Sequence, residues 1–302
     1  MVNPGMNQSG PDKALIAIAG FPKSGNTLIN ETLDQAGKLI DSDWVPPKYE
    51  YQSSKDLEPL KSGSYMANPY LGEHRCHIKT HIMYSDENYE LERIGITIDS
   101  IAVIIRNPFD TLLSTTNYLL YSAKKNKRLT GSQISTLKHF YPDYSESDVL
   151  GGSEFNLEQL REKGALDQAL EIFSASNTCI PQFLTRSGTW LEFYSSFDHT
   201  QKQTFKVRFE DIINSHANWE EASNLLATFL GCQPDILADA FMQQNESCQQ
   251  ARQSNNLFFP VAESKYFFRY FEGRSLRRFC NKYLTELKAF GYEDLIDEVM
   301  SH

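Results

Sequence analysis

Residues 14–37, ALIAIAGFPKSGNTLINETLDQAG, constrain the fold more than any other stretch of the chain. Residues 14–21 are apolar almost throughout, as in a strand covered on both faces. A glycine-containing turn, FPKSGN, follows. Residues 27–37 then space their apolar side chains as a helix does, with Gly37 placed to cap its end. Strand, turn and helix in that order open a parallel sheet. The fold class read from the sequence is therefore α/β, a central parallel sheet flanked by helices, with irregular insertions.

Three more strands are expected, at 77–82 (HIKTHI), 101–106 (IAVIIR) and 205–209 (FKVRF). After the third strand-like run Asn107 caps a helix, Pro108 takes its first position and Asp110 reaches back. Leu112, Leu113, Thr116, Leu119 and Leu120 line one face of that helix. Residues 41–73 break into Pro, Ser, Tyr and charged residues and read as irregular surface. Residues 124–164 are the least patterned, which predicts a lid or mobile loop. A helix runs from about residue 219 to Gly231. Leu276, Phe279, Tyr283, Leu284, Leu287 and Phe290, with Gly291 beyond, predict one amphipathic closing helix. We expect a flexible tail at 1–12 and one domain at 13–302, with 124–164 as its lid or substrate insertion.

Composition excludes several classes. Of 302 residues, 40% are hydrophobic and 23% charged, too apolar for general disorder. The net charge of −10 argues against sequence-independent binding to nucleic acid or to anionic membrane. No apolar run approaches the ~18–20 residues that span a bilayer. The opening MVNPGMNQSGPDK lacks the layout of a secretory signal. Five scattered cysteines, none spaced CxxC, read as reduced thiols in a cytoplasmic protein. A homodimer is compatible with all of this.

The first turn carries the chemistry. Between a buried strand and a helix, Gly20-Phe21-Pro22-Lys23-Ser24-Gly25-Asn26-Thr27 aims backbone N–H groups and a helix N-terminus at one point, which attracts phosphate. The spacing resembles the nucleotide-binding GxxxxGK[ST] pattern, with Asn26 where the lysine belongs. An amide supplies no cation for a β- or γ-phosphate, so a triphosphatase is disfavoured and another 5′-phosphate compound fits better. A plain tight turn is the alternative. Arg106, ending a strand beside a helix start, can grip a second phosphate, with Ser114 two turns into that helix; a helix cap with a surface ion pair is the other reading. In Lys79-Thr80-His81, strand alternation puts a fixed charge and a titratable base on one side. A lone histidine is more often structural, and the adjacent lysine and strand end favour catalysis. His74, His77 and His81 lack an accompanying carboxylate or cysteine set for a metal. The aromatics at 266–271 read as packing or as ligand stacking, and Tyr118 and Tyr121 as acceptor pocket or core.

Taken jointly, FPKSGNT, KTH and RNPFDTLLS resemble the cytosolic sulfotransferases, which use 3′-phosphoadenosine 5′-phosphosulfate (PAPS) and show YPKSGTTW, KTH and RNPxDxxxS in this order. Ser187-Gly188-Thr189-Trp190 is similar to the family's GSW segment, and RFEDI (208–212) to its YED segment. The resemblance spans roughly 14–292 and implies a P-loop-like sulfotransferase architecture with PAPS as co-substrate and no metal. It implies that Pro22, Lys23, Ser24, Gly25, Asn26 and Thr27 bind the 5′-phosphosulfate, that Arg106 and Ser114 bind the 3′-phosphate, and that His81 is the base with Lys79 beside it. Asn26 departs from the family threonine, Leu28 from the tryptophan that stacks on adenine, and Phe209 from the tyrosine at the base. RKGxxGDW is not intact; FFRYFEGR stands in its place and offers Arg269 and Arg274.

The mechanism so implied is in-line sulfuryl transfer to a hydroxyl or amine of a small-molecule acceptor. Lys23 stabilises the leaving oxygen and His81 takes the acceptor proton. The rival expectations are an ATP-dependent phosphotransferase and a catalytically silent nucleotide-binding protein.

Overall fold

Four parallel strands run through the middle of the molecule: β1 (Ala14–Gly20), β2 (Arg75–Thr80), β3 (Ser100–Ile105) and β4 (Gln203–Arg208), in the spatial order β2-β1-β3-β4. The structure is a computed structural model, and it describes residues 14–49, 57–62, 64–84, 90–93, 95–175, 189–213, 216–253 and 266–302. Ile16, Ala17, Ile18 and Ala19 have no exposed surface, because β1 is paired on both edges and covered on both faces. The register pairs Ala19 with Thr80, Gly20 with Ile104, and Ile105 with Arg208. All four strands therefore finish at one edge of the sheet, and the residues after them, Phe21, His81, Arg106 and Phe209, emerge together.

Strand alternation divides the core in two. Leu15, Ala17, Ala19, Ile78, Ile101 and Val103 face one way and pack with Phe109 and Leu112 of helix α2 (Pro108–Asn126). Ile16, Ile18, Ala102 and Ile104 face the other way, against Ile29, Leu33 and Ala36 of helix α1 (Asn26–Ile40). The second layer is completed by the helices His216–Leu230 and Pro234–Gln253, through Leu226, Leu230, Leu237 and Phe241.

Several local expectations change. The strands end one or two residues earlier than expected: His81 lies beyond β2, Arg106 beyond β3, and Phe209 opens the short helix Phe209–Ile213. Gly37 does not cap α1, which continues to Ile40. It sits inside the helix where the Trp44 ring crosses, and a Cβ there would lie 2.6 Å from Trp44 Cζ3. Residues 124–164 are not a loop. They hold the helices Gly131–Phe140, Glu146–Gly151 and Leu157–Glu162, whose Leu137, Phe140, Val149 and Leu160 join the core. Their signals are caps rather than periodicity: Thr130 with Gln133, and Ser145 with Asp148, close capping boxes. The single closing helix expected over 276–290 is two, Gly273–Lys282 and Leu284–Ala289, broken at Tyr283, and a further helix, Glu293–Ser301, follows beyond Gly291. The helix Pro234–Gln253, with its run of Gln, Asn and Ser, went unread in the sequence although it packs along α1. Cys232 and Cys280 are free thiols, and Cys76 is buried. Residues 1–12, Cys179, Ser187 and Gly188 lie outside the described residues.

Candidate active site

At the end of β1 the chain makes a tight turn. Ser24 N–H donates to the Phe21 carbonyl at 2.9 Å, and Leu28 N–H to the Gly25 carbonyl at 2.9 Å. Lys23 takes the left-handed backbone region at φ 69, uncommon for a residue with a side chain. Gly25 does the same at φ 96, and a Cβ there would lie 2.2 Å from Phe209 Cδ2. Pro22 and Ser24 are buried in this turn. Asn26 and Thr27 open α1, so their N–H groups have no intrahelical acceptor and the helix dipole's positive end lies at the turn.

Three cations close on the turn. Lys23 Nζ sits 4.0 Å from the centroid of the Tyr118 ring on α2. Lys79 Nζ donates to Thr27 Oγ1 at 3.4 Å. Arg106, only 6% exposed, donates from Nη1 to the Lys23 carbonyl at 3.0 Å, and its Cζ lies 4.6 Å from the Phe209 ring centroid. Arg106 Nε is buried with no hydrogen-bond partner among the described residues. Burial first, then the charges of Arg106 and Lys79, push the Lys23 ammonium down to about 7. A bound anion relieves that repulsion, which is why a phosphate cradle is the chemistry this cluster fits.

His81 stands at the rim of the turn. Its Nδ1 lies 2.6 Å from the Gly20 carbonyl oxygen. A carbonyl only accepts, so Nδ1 carries the imidazole hydrogen and the lone pair is on Nε2. Burial, with Lys79 and Lys23 adding repulsion against the opposing Gly20 contact, brings the ring down to about 3. At neutral pH it is a neutral base. Alternation placed Lys79 and His81 on one face. Because β2 ends at Thr80, the ring is set instead by its contact with Gly20, although both lysines still act on it electrostatically.

The segment that carries Arg106 is held from four sides. Arg106 N–H donates to the Tyr194 hydroxyl at 3.3 Å, and Trp190 Nε1 donates to the Arg106 carbonyl at 3.0 Å. Asn107 caps α2 by accepting from Asp110 N–H at 2.8 Å. Its Nδ2 donates to Asp110 Oδ2 at 2.7 Å and to Glu210 Oε1 at 2.6 Å, while its backbone N–H donates to Glu210 Oε1 at 2.9 Å. Tyr292 OH donates to Glu210 Oε2 at 3.0 Å. Burial raises both Glu210 and Asp110 above the usual carboxylate range.

Lys23, Ser24, Gly25, Asn26, Thr27, Lys79, His81, Arg106 and Phe209 are thus brought together. Ser114 is half-buried on α2. Arg269 is exposed and paired with Glu158 at 2.6 Å, and Arg274 is exposed in the first turn of Gly273–Lys282. Leu28 packs against the α1-side core. His77 is used internally, its Nε2 3.2 Å from Asp34 Oδ1. Phe267 and Phe271 pack on Phe109, so this part of the aromatic cluster is core. No local signal announces Tyr194 or Glu210's contact with Asn107, and the GTW segment does not reveal that its Trp190 grips the Arg106 carbonyl.

No family model and no curated protein matches this chain. Solved structures do. The crystal structure of mouse sulfotransferase SULT7A1 complexed with PAP matches with a TM-score of 0.55 and 16% identity, covering 96% of this chain and 90% of that one. Retinol dehydratase, in complex with androsterone and inactive cofactor PAP, matches with a TM-score of 0.51 and 10% identity over 92% of this chain and 82% of that one. At these identities the likeness is one of architecture: this chain has the parallel α/β fold of the sulfotransferases.

Proposed function

We propose that the protein is a PAPS-dependent sulfotransferase acting on a hydroxyl or amine of a small molecule. The observation that carries the reading is the meeting of Lys23, Lys79 and Arg106 around the α1 N-terminus, with a neutral His81 at the rim. The fold shared with proteins crystallised with PAP supports it. The nucleotide fits by chemistry: the buried Arg106 Nε has no partner among the described residues, and the clustered cations repel one another.

PAPS supplies the sulfuryl group and a bisphosphate leaving group. The amides of residues 25–27 and Thr27 Oγ1 orient the anion, with Lys79 beside them. Lys23 neutralises charge on the bridging oxygen as its bond to sulfur breaks. Its depressed value rises when the anion binds, so the ammonium is regained where it is needed. His81 Nε2 receives the acceptor's proton as the new oxygen–sulfur or nitrogen–sulfur bond forms. Arg106 and Ser114 take the 3′-phosphate, and Phe209 offers its ring at the adenine end. Arg269 and Arg274, exposed here, are the remaining candidates for the 3′-phosphate. The helical unit at 124–164, continuous with the helix that carries Tyr118, forms part of the acceptor site.

The test is a panel of hydroxylated and amine metabolites incubated with sulfur-labelled PAPS and read by transfer of label, with PAP binding followed by calorimetry. Label transfer, and PAP binding that ATP with magnesium does not displace, support the proposal. Displacement of PAP by ATP with magnesium points instead to a phosphotransferase. PAP binding without transfer to any acceptor leaves a silent nucleotide-binding protein.

A further inference from the structure

We propose that Asn26 is a positioning residue for His81, its side chain tying the phosphate loop to the end of β2 rather than serving as a phosphate ligand. The inference rests on the sulfuryl-transfer reading only for what His81 does once it is held.

Asn26 is the first residue of α1 and only 2% exposed. Its Nδ2 donates to the Thr80 carbonyl at 3.1 Å and lies 3.5 Å from His81 Nδ1. The reversed amide would set Oδ1 against the Thr80 oxygen, two acceptors face to face, so the contact with Thr80 decides the orientation. The side chain also lies on the α-carbon of Gly20: a Cβ there would be 3.0 Å from Asn26 Cβ and 3.3 Å from Asn26 Cγ. Gly20 is the residue whose carbonyl receives His81 Nδ1–H. Two supports therefore bracket one ring edge. The Gly20 oxygen demands a hydrogen on Nδ1, and the Asn26 amide anchors Thr80, fills the space beside the ring and keeps water from Nδ1.

This explains a departure from the pattern of the first turn. A threonine hydroxyl or a methyl group is too short to bond Thr80 and also cover the ring edge. A lysine would add a third ammonium beside Lys23 and Lys79, the charged groups that already act on His81. An amide adds reach and a donor without charge. The same residue opens α1, so one side chain ties the end of β2 to the helix N-terminus at the turn.

The test is isotope-edited NMR of the His81 imidazole in the nucleotide-free protein, together with PAP calorimetry. In the wild type the ring should show one tautomer, hydrogen on Nδ1, and titrate far below the ordinary imidazole range. In Asn26→Ala water reaches Nδ1, the tautomers mix, and the midpoint rises by about one unit or more toward the ordinary value, with PAP affinity little changed. Asn26→Asp, of nearly equal size, places a carboxylate beside Nδ1–H and raises the midpoint further. The proposal is overturned if the wild-type ring carries its hydrogen on Nε2. It is equally overturned if folded variants leave tautomer and titration unchanged, or if Asn26→Ala weakens PAP binding while His81 titrates as before. If the alanine variant does not fold, the aspartate variant and the wild-type tautomer decide. None of these readings uses turnover, so a failed transfer assay and a failed positioning role are told apart.

Discussion

Arg106 reaches from the end of β3 to hold the carbonyl of Lys23, Nη1 to oxygen at 3.0 Å. The guanidinium that reads as a phosphate ligand is thereby also the clasp on a left-handed lysine. Its neighbours hold it in turn: Tyr194 and Trp190 take its backbone, and Glu210 takes the backbone and side chain of Asn107. Lys23 and Arg106 are consequently a unit.

Binding of PAP should take up protons near neutral pH. Lys23 titrates at about 7 without an anion, and an anion favours its charged form, so the bound value is higher. Below about pH 7 the free protein is already charged and affinity should be flat. Above it, affinity should fall by up to about tenfold per pH unit until the bound value is reached. Calorimetry in buffers of different ionisation heat measures the uptake, and Lys23→Met should abolish most of it.

His81→Ala should lower kcat by about 10²–10⁴-fold while leaving PAP affinity near wild type. Activity needs the neutral ring and is lost as pH falls through its pKa, about 3 without ligand. A bound anion offsets the repulsion from Lys79 and Lys23 and raises that value. The acid limb of kcat should therefore lie at higher pH than the limb of kcat/KM for PAPS.

Gly25→Ala should nearly eliminate PAP binding. The new methyl meets the Phe209 ring, with Cδ2 2.2 Å away, at a backbone φ of 96. Phe209→Ala in the same chain removes the collision and leaves the backbone strain, so binding should return only in part. Full restoration would assign the glycine to packing alone.

Glu210→Ala leaves the backbone N–H of Asn107, its Nδ2 and the Tyr292 hydroxyl short of one acceptor residue. Each buried donor left unpaired costs about 1–3 kcal/mol, so thermal unfolding should show a clear loss in Tm. Glu210→Gln keeps the acceptor oxygen and should recover much of it. Because the cluster supports Arg106, KM for PAPS should rise more than kcat falls in both variants.

Local signals made the scaffold readable. An unbroken apolar run needs cover on both faces, and the runs at 14–21 and 101–105 became the two central strands of one parallel sheet, while the mixed runs at 77–82 and 205–209 became its edge strands. Pro108 behind Asn107 marked a helix start because proline lacks the N–H that position leaves unbonded. Where the outcome depended on packing, the sequence was silent. Gly37 carries an ordinary stop signal, yet the helix passes through it, and the glycine serves packing instead, leaving the Trp44 ring the space a side chain would occupy. The stretch 124–164 is polar enough to read as a lid or loop, and Pro234–Gln253 gave no reading at all; contacts with the core and with α1 supply the stability their own periodicity does not advertise.

The chain alone determined the parts of the turn: a strand, a turn with glycines where side chains would collide, and the N-terminus of a helix, all consecutive and hence close in space. Tertiary structure decided what those atoms do. Gly20, Asn26, Thr80 and His81 come from two neighbouring strands and the helix between them, and only the register that ends β1 beside β2 brings the Gly20 carbonyl to the imidazole and the Asn26 amide to Thr80. A hydrogen's place on a ring depends on the acceptor it faces, and that acceptor lies 61 residues away along the chain.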